Sequence, residues 1–299
     1  MVDERSAFLR ASWINVVSNV LKIGVEGALG ITFGSIALLA DAVHSIADLL
    51  ASLIVLIWGR FVFDEPDPTH PHGHERFEPL TALFVGLILV FLGGVLLYES
   101  INALRFGSQA TYSIFLIIGL SFAFIDRFAC FYYTKRLNRI VNSNSLHALA
   151  TDSLNDLYTT GAAFMGILGM AIGYPFLDPV AGGIVSVVVI YQGFQICREN
   201  IDYLVDRAPS DDIQREIKDV ILSHPRVHGV HDFAVYYSGP LLEVEFHAEI
   251  RSDITIREAH EIETELRDQL REIEPVDDVH IHLDPSGIGE WKDSNSPTK

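Results

Sequence analysis

Six long apolar runs fill the first two thirds of the chain, and they restrict its fold more than any other feature. Each run is at least about 20 residues long, the length that an α-helix needs to cross the hydrocarbon core of a bilayer. The runs are Trp13–Phe33, Ser35–Phe63, Phe77–Ile101, Ser113–Tyr133, Ala148–Ile172 and Phe176–Ile196. Short segments with turn residues separate them, so the sequence predicts a bundle of six transmembrane helices.

The acidic residues are concentrated in the remainder of the chain. The net charge is −18, and the stretch from Ala208 to the end holds 21 acidic and 9 basic residues. The periodicity there predicts helices and strands at Asp211–Ser223, Val230–Tyr237, Leu241–Ile250, Thr255–Ile273 and Asp278–Asp284. The predicted fold class is therefore a membrane all-α six-helix bundle followed by a small ferredoxin-like α+β domain with the order α-β-β-α-β.

These patterns predict a transmembrane domain at residues 1–206, a soluble domain at 207–286 and a disordered tail at 287–299. Most basic residues near the span ends flank one side of the bundle, and loops rich in Lys and Arg face the cytoplasm. Both termini are therefore expected in the cytoplasm, and the protein in the cell membrane. No cleaved signal peptide is expected, because the first ten residues are charged and contain no hydrophobic stretch with a cleavage site, and the acid excess is typical of a high-salt cytoplasm.

Two pairs of metal-ligand residues lie inside the predicted spans. His44 and Asp48 are four residues apart in the second span, and Asp152 and Asp156 are four apart in the fifth. That spacing puts each pair on one helix face, so two opposed faces would surround a divalent cation with one imidazole and three carboxylates. The alternative is a polar seam between packed helices, but buried charges are costly and usually mark a functional site.

A second candidate site lies in the loop after the second span, where Asp67, His70 and His74 have a spacing that suits zinc. A solvated polar loop is the alternative. The chain has only two cysteines, both inside apolar runs, so any transition-metal site must use His and carboxylates.

Two segments carry a strong family resemblance. The sequences GSIALLADAVHSIADL (residues 34–49) and HPHGHERFE (residues 70–78) closely resemble the second span and following loop of cation diffusion facilitators. The resemblance covers almost the whole chain. It implies a homodimer in the lipid bilayer that exports divalent cations in exchange for protons, with no nucleic-acid partner.

The resemblance also implies roles for individual residues. The transport site would consist of His44, Asp48, Asp152 and Asp156, and the loop group would bind a regulatory metal. A cytoplasmic metal cluster in the dimerisation domain would consist of His231, His247, His260, His282 and Asp284. Alone, those residues would also fit a solvated sheet face.

One position departs from the zinc-selective members of the family. They usually carry His where this chain has Asp152, whereas manganese-type members often carry Asp there but lack His at the position of His44. This departure leaves the identity of the metal open. Because the His44 nitrogen still favours zinc-like ions, zinc is the first expected cargo, with manganese, iron, cobalt and cadmium as alternatives.

Other charged residues in the spans receive less specific predictions. Lys22 and Glu26 are expected to form an intrahelical pair because they are four residues apart. Asp126 and Arg127 point about 100° apart on a helix and should have separate partners, without an assigned role.

Two other functions compete with metal export. A membrane metalloenzyme would need an open coordination position and a separate catalytic group, and the sequence offers neither, so an enzyme is not expected. A transport-inactive metal sensor or scaffold would not need the four-ligand set. No phosphate-binding loop of the Gly-x-x-x-x-Gly-Lys-Ser/Thr type occurs, so ATP is not the expected energy source.

Overall fold

The computed structural model describes residues 4–61, 67–70, 73–108, 110–141 and 144–286. Six long helices come first, and a three-stranded sheet with two helices follows. The long helices are α1 (Glu4–Phe33), α2 (Ile36–Phe61), α3 (Phe77–Phe106), α4 (Ile114–Val141), α5 (Asn144–Ala171) and α6 (Leu177–Leu204). The later elements are α7 (Asp211–Ser223), β1 (Gly229–Ser238), β2 (Leu241–Ile250), α8 (Ile256–Arg271) and β3 (Val276–Pro285).

The long helices confirm the predicted bundle. Several of them are longer than the apolar runs, because polar residues at their ends are also helical. Among the described residues, four helices are long and apolar enough to cross a membrane, namely Arg10–Phe33, Phe77–Phe106, Ile114–Ile140 and Leu177–Leu204. The chain is thus a multi-pass membrane protein. Helices α2 and α5 carry the ionisable pairs, and their crossing of the bilayer stays a prediction.

The chain forms two compact units, Met1–Arg60 with Thr81–Cys197 and Phe61–Leu80 with Arg198–Lys299. The domain limits drawn from the sequence stay predictions, and the tail predicted at 287–299 lies outside the described residues.

Small residues allow close helix packing in the first unit. A Cβ atom added to Gly193 of α6 would lie 2.8 Å from the carbonyl oxygen of Gly86 in α3, so neither helix tolerates a side chain there. One buried apolar cluster joins α2, α4, α5 and α6. It consists of Ala37, Leu38, Leu116, Leu120, Ala163, Ile167, Met170 and Ala181.

A buried carboxylate fixes the start of α2. Oδ2 of Asp178, in α6, accepts a hydrogen bond from the backbone N–H of Ile36 (3.0 Å), and Oδ1 accepts one from the Ser35 hydroxyl (2.5 Å). Asp178 has no exposed surface. The carboxylate therefore satisfies donors that a helix leaves unpaired in its first turn, and it joins α2 to α6.

The second unit contains the sheet, in the order β1-β2-β3. Strands β1 and β2 are antiparallel, β2 and β3 are parallel, and α8 forms the crossover between the parallel strands. Buried residues of the two helices and the three strands form one apolar core, including Ile217, Phe246 and Leu266. Every element lies within two residues of its predicted limits, and the α-β-β-α-β order is confirmed.

Candidate metal centre

Three of the four ligands predicted in the spans come together inside the bundle. One ligand atom from each of His44, Asp48 and Asp156 lies within 4.8 Å of the others. Nε2 of His44 is 3.0 Å from Oδ1 of Asp156 and 3.9 Å from Oδ2 of Asp48. The His44 and Asp156 side chains are each only 1% exposed. Helices α2 and α5 thus present one nitrogen and two carboxylates to a common point, a donor set that suits transition metals.

The fourth predicted ligand stands apart from this group. Asp152 lies one helical turn before Asp156 on α5, and its side chain is exposed. It is not a member of the buried three-residue group. A four-ligand site therefore stays a prediction.

Gln192 of α6 orients the imidazole of His44, and our sequence reasoning missed it. Its Oε1 lies 2.8 Å from Nδ1 of His44. Because an amide oxygen only accepts hydrogen bonds, Nδ1 donates to Gln192, and Nε2 is left to donate to Asp156 or, once it has lost its proton, to bind a cation. The available signal was a neutral amide inside an apolar span, which a search for ionisable residues passes over.

Arg127 of α4 is the second residue that sequence reasoning missed. Its Nη1 lies 3.0 Å from Oδ2 of Asp156, and both side chains are 1% exposed. The neighbouring Asp126 accepts a hydrogen bond from the Ser18 hydroxyl instead, so the two residues have separate partners as predicted.

The predicted intrahelical pair of Lys22 with Glu26 is wrong. Nζ of Lys22 lies 3.1 Å from Oδ1 of Asp41 in α2, and neither side chain is exposed. The ammonium group reaches the neighbouring helix because Asp41 would otherwise leave a charge without a close counterion in the bundle.

The predicted loop ligands also come together. Ligand atoms of Asp67, His70 and His74 lie within 4.8 Å of one another. One ring nitrogen of each histidine is 3.5 Å from an oxygen of Asp67. Hydrogen bonds from the Thr69 hydroxyl and the His70 backbone N–H hold the pKa of Asp67 well below its usual range. Asp67 therefore stays ionised, as a metal ligand must be.

A third group lies on the sheet. His231, His247 and His282 occupy facing positions on β1, β2 and β3, so the strand register alone aligns them. Asp284 contacts all three imidazoles, at 3.3 Å from His231, 2.9 Å from His247 and 3.1 Å from His282. His247 belongs to two ligand groups. One consists of His231, Asp232 and His247, and the other consists of His247, His282 and Asp284.

The sheet group differs from the predicted set at two residues. His260, on α8, is 73% exposed, lies 3.9 Å from Glu263 and belongs to neither ligand group. Asp232 joins because the register is irregular between His231 and Ala234, and Asp232 itself has a φ of 45°. In a regular strand, the side chains of neighbouring residues point to opposite faces. The sequence alone would therefore place Asp232 on the face opposite His231 and exclude it from the ligand group.

We expect a fragment of residues 208–287 to bind zinc and to form a tighter dimer when zinc is added. The described part of this fragment has its own apolar core, and its acidic surface would otherwise oppose association. His247→Ala should weaken zinc binding about tenfold or more, because His247 belongs to both ligand groups. Calorimetry and analytical ultracentrifugation measure the two effects. The exposed His228 supplies the control His228→Ala, and equal losses in both variants would contradict this site.

Comparison with known protein families finds one matching family profile for each of the two parts of the chain. The family profile described as the cation efflux transmembrane domain matches residues 12–205, and that of the cation efflux protein cytoplasmic domain, designated ZT_dimer, matches residues 209–286.

Individual relatives align along nearly their full length. An uncharacterized transporter of Methanocaldococcus jannaschii is 30% identical, over 91% of this chain and 96% of the relative. The manganese efflux system protein MneS of Bacillus subtilis is 25% identical, over 95% and 97%. The magnetosome protein MamB of Magnetospira is 27% identical, over 92% and 94%.

Proposed function

Since the chain belongs to the cation efflux family and is a transporter of divalent metal cations, we propose that it exports zinc from the cytoplasm in exchange for protons. The buried group of His44, Asp48 and Asp156 supports this proposal most directly. Its ligands come from two helices, and a site built from facing helices can bind on one side of a membrane and release on the other when those helices move.

The donor set supports a transition metal as the cargo. Calcium and magnesium prefer sites made of oxygen alone, whereas an imidazole nitrogen suits zinc, iron and similar ions. Gln192 supports the same reading, because its hydrogen bond with Nδ1 leaves Nε2 of His44 facing Asp156, where a cation can replace the Nε2 proton. Metal-binding histidines usually donate their other ring N–H to a hydrogen-bond acceptor in this way.

Manganese and iron are the main competitors of zinc, followed by cobalt and cadmium. The relatives MneS and MneP of Bacillus subtilis are manganese efflux proteins by name, and the carboxylate of Asp152 is a hard ligand that manganese accepts. Zinc nevertheless exceeds manganese in affinity for most sites with nitrogen donors. We therefore propose a broad selectivity with zinc preferred.

Proton exchange follows from the chemistry of the ligands. A cation binds to neutral imidazole and ionised carboxylates, so protonation of His44, Asp48 or Asp156 competes with metal binding. A higher proton concentration outside would promote release there, and protons would return on the same side chains. Both termini would face the cytoplasm, where metal is loaded.

The second unit would act as the dimerisation and regulatory part. The dimer designation of its family profile supports a homodimer. The sheet ligands around His247 and the loop ligands around Asp67 would bind metal as regulators. Their groups are more exposed than the His44 group, so they would fill and empty with the cytoplasmic metal concentration.

Purified protein in sealed proteoliposomes tests the proposed function. Zinc entry should follow the zinc gradient, accelerate when the lumen is acidic, and be accompanied by an opposite proton movement recorded with a pH dye. Manganese, iron, cobalt and cadmium are measured in competition. Flux that ignores the pH gradient would contradict proton exchange, and absence of flux for all five metals would favour a metal sensor or scaffold.

A further inference from the structure

The Arg127 side chain is a permanent cation inside the helix bundle. It is 1% exposed, and it is among the largest fully buried side chains of the described residues. Removing a guanidinium from water costs several kcal/mol unless a partner offsets it. Its placement beside a candidate transport ligand therefore needs an explanation that simple packing does not give.

Arg127 and His44 contact different oxygens of one carboxylate. Nη1 of Arg127 is 3.0 Å from Oδ2 of Asp156, whereas Nε2 of His44 is 3.0 Å from Oδ1. Oδ1 thus faces the other ligands, and Oδ2 faces the guanidinium. A cation bound between His44 and Asp156 would meet Oδ1 of this carboxylate, because Oδ2 forms an ion pair with Arg127, although it accepts no hydrogen bond within the described part of the chain.

The guanidinium also has unused hydrogen-bonding capacity. Within the described part of the chain, Nε and Nη2 of Arg127 make no hydrogen bond. Its partner Asp156 belongs to the same buried group as Asp48, which is itself a candidate ligand. The positive charge of Arg127 therefore acts on both anionic members of the buried group.

The formal charges give the sign of the effect. In the buried group, a neutral His44 with ionised Asp48 and Asp156 carries two negative charges, and Arg127 reduces this to one. Because charges interact strongly in a medium of low dielectric constant, Arg127 lowers the attraction of the group for a divalent cation.

We propose that Arg127 is a positioning residue that holds Asp156 to one-oxygen coordination and lowers the affinity of the transport site for a divalent cation. This inference rests on the proposed transport function. Arg127 repels the bound cation and stabilises the carboxylate after release. It thereby limits the affinity of the site, which an exporter requires because a cation held too tightly is not released.

The variants Arg127→Gln and Arg127→Lys separate charge from packing. Both are measured with zinc in proteoliposomes at alkaline pH, where proton competition is smallest, and zinc binding to the purified dimer is measured by calorimetry. For Arg127→Gln we expect the KM and the dissociation constant to fall about tenfold or more, and Vmax to fall as release slows. Arg127→Lys keeps the charge, so its KM should stay within about threefold of the parent value.

Two results would overturn this role. Arg127→Gln could raise the KM, or both variants could change the KM and Vmax by the same factors, as expected for a residue that only supports the fold. If Arg127→Gln does not accumulate as a folded dimer, the neutral variant Arg127→Met takes its place, with the same expected fall in the KM. Failure of the proposed function is distinguishable, since the parent protein would then show no metal flux.

Discussion

Asp156→Asn should reduce zinc transport to the background of empty vesicles. Asp156 supplies an anionic oxygen to the buried group and is also the partner of Arg127. The amide of Asn keeps the size but removes the charge. Loss of a residue that only orients a metal ligand costs about 10- to 100-fold, so loss of a ligand should cost at least about 100-fold. Stopped-flow fluorescence of a zinc dye inside proteoliposomes measures the rate.

Asp126→Asn is the matched control for this experiment. Asp126 is a carboxylate in the same bundle, but its partner is Ser18 and it lies outside the buried ligand group. We expect this variant to keep most of the parental rate, with both variants eluting as folded dimers. Normal transport in Asp156→Asn, or equal loss in Asp126→Asn, would remove Asp156 from the transport site.

The second large effect concerns metal selectivity, and two substitutions should change it in opposite directions. Asp152→His adds a nitrogen donor and should raise the ratio of zinc to manganese transport by about tenfold, because zinc gains more from imidazole. His44→Asp leaves only oxygen donors and should lower that ratio by a similar factor. Competition between the two metals in proteoliposomes measures the ratio directly.

The exposure of Asp152 makes this pair informative. Asp152 stands outside the buried group, whereas His44 is inside it. If both variants keep the parental ratio, these side chains do not set selectivity, and the packing of the helices becomes the better explanation. If only His44→Asp changes the ratio, the prediction for Asp152 is wrong, and this residue attracts cations without coordinating them.

Periodicity explains why so much of the fold and of the site could be predicted. Helical spacing put His44 beside Asp48, and strand alternation put His282 on the same face as Asp284. The strand limits followed from the same alternation, which gives β2 its alternating burial. Such features depend on residues near one another in the sequence, so no tertiary information is needed.

Partners on different helices could not be predicted in this way. Lys22 contacts Asp41 and Arg127 contacts Asp156 only because of how α1, α2, α4 and α5 pack. A single sequence contains no record of which helix faces are adjacent.

In the second unit, the predicted metal ligands differ from the observed group for two other reasons, the family resemblance and a local irregularity of the strand. The family pattern named His260, which lies apart from the sheet group, and it did not name Asp232, which joins through an irregular strand register. Both differences arise from side-chain placement rather than from residue type.

The Asp178 carboxylate that caps α2 has a consequence for the speed of transport. It lies at the end of the bundle where Ala37 and Leu38 belong to the buried apolar cluster, about two helical turns from His44. Asp152, in contrast, precedes Asp156 on the side where α5 begins. If the cation reaches His44 from the side of Asp152 and leaves at the other end, the cap and the apolar cluster have to separate. The free energy of that separation, rather than the strength of the ligands alone, would then determine the activation barrier for each transport cycle.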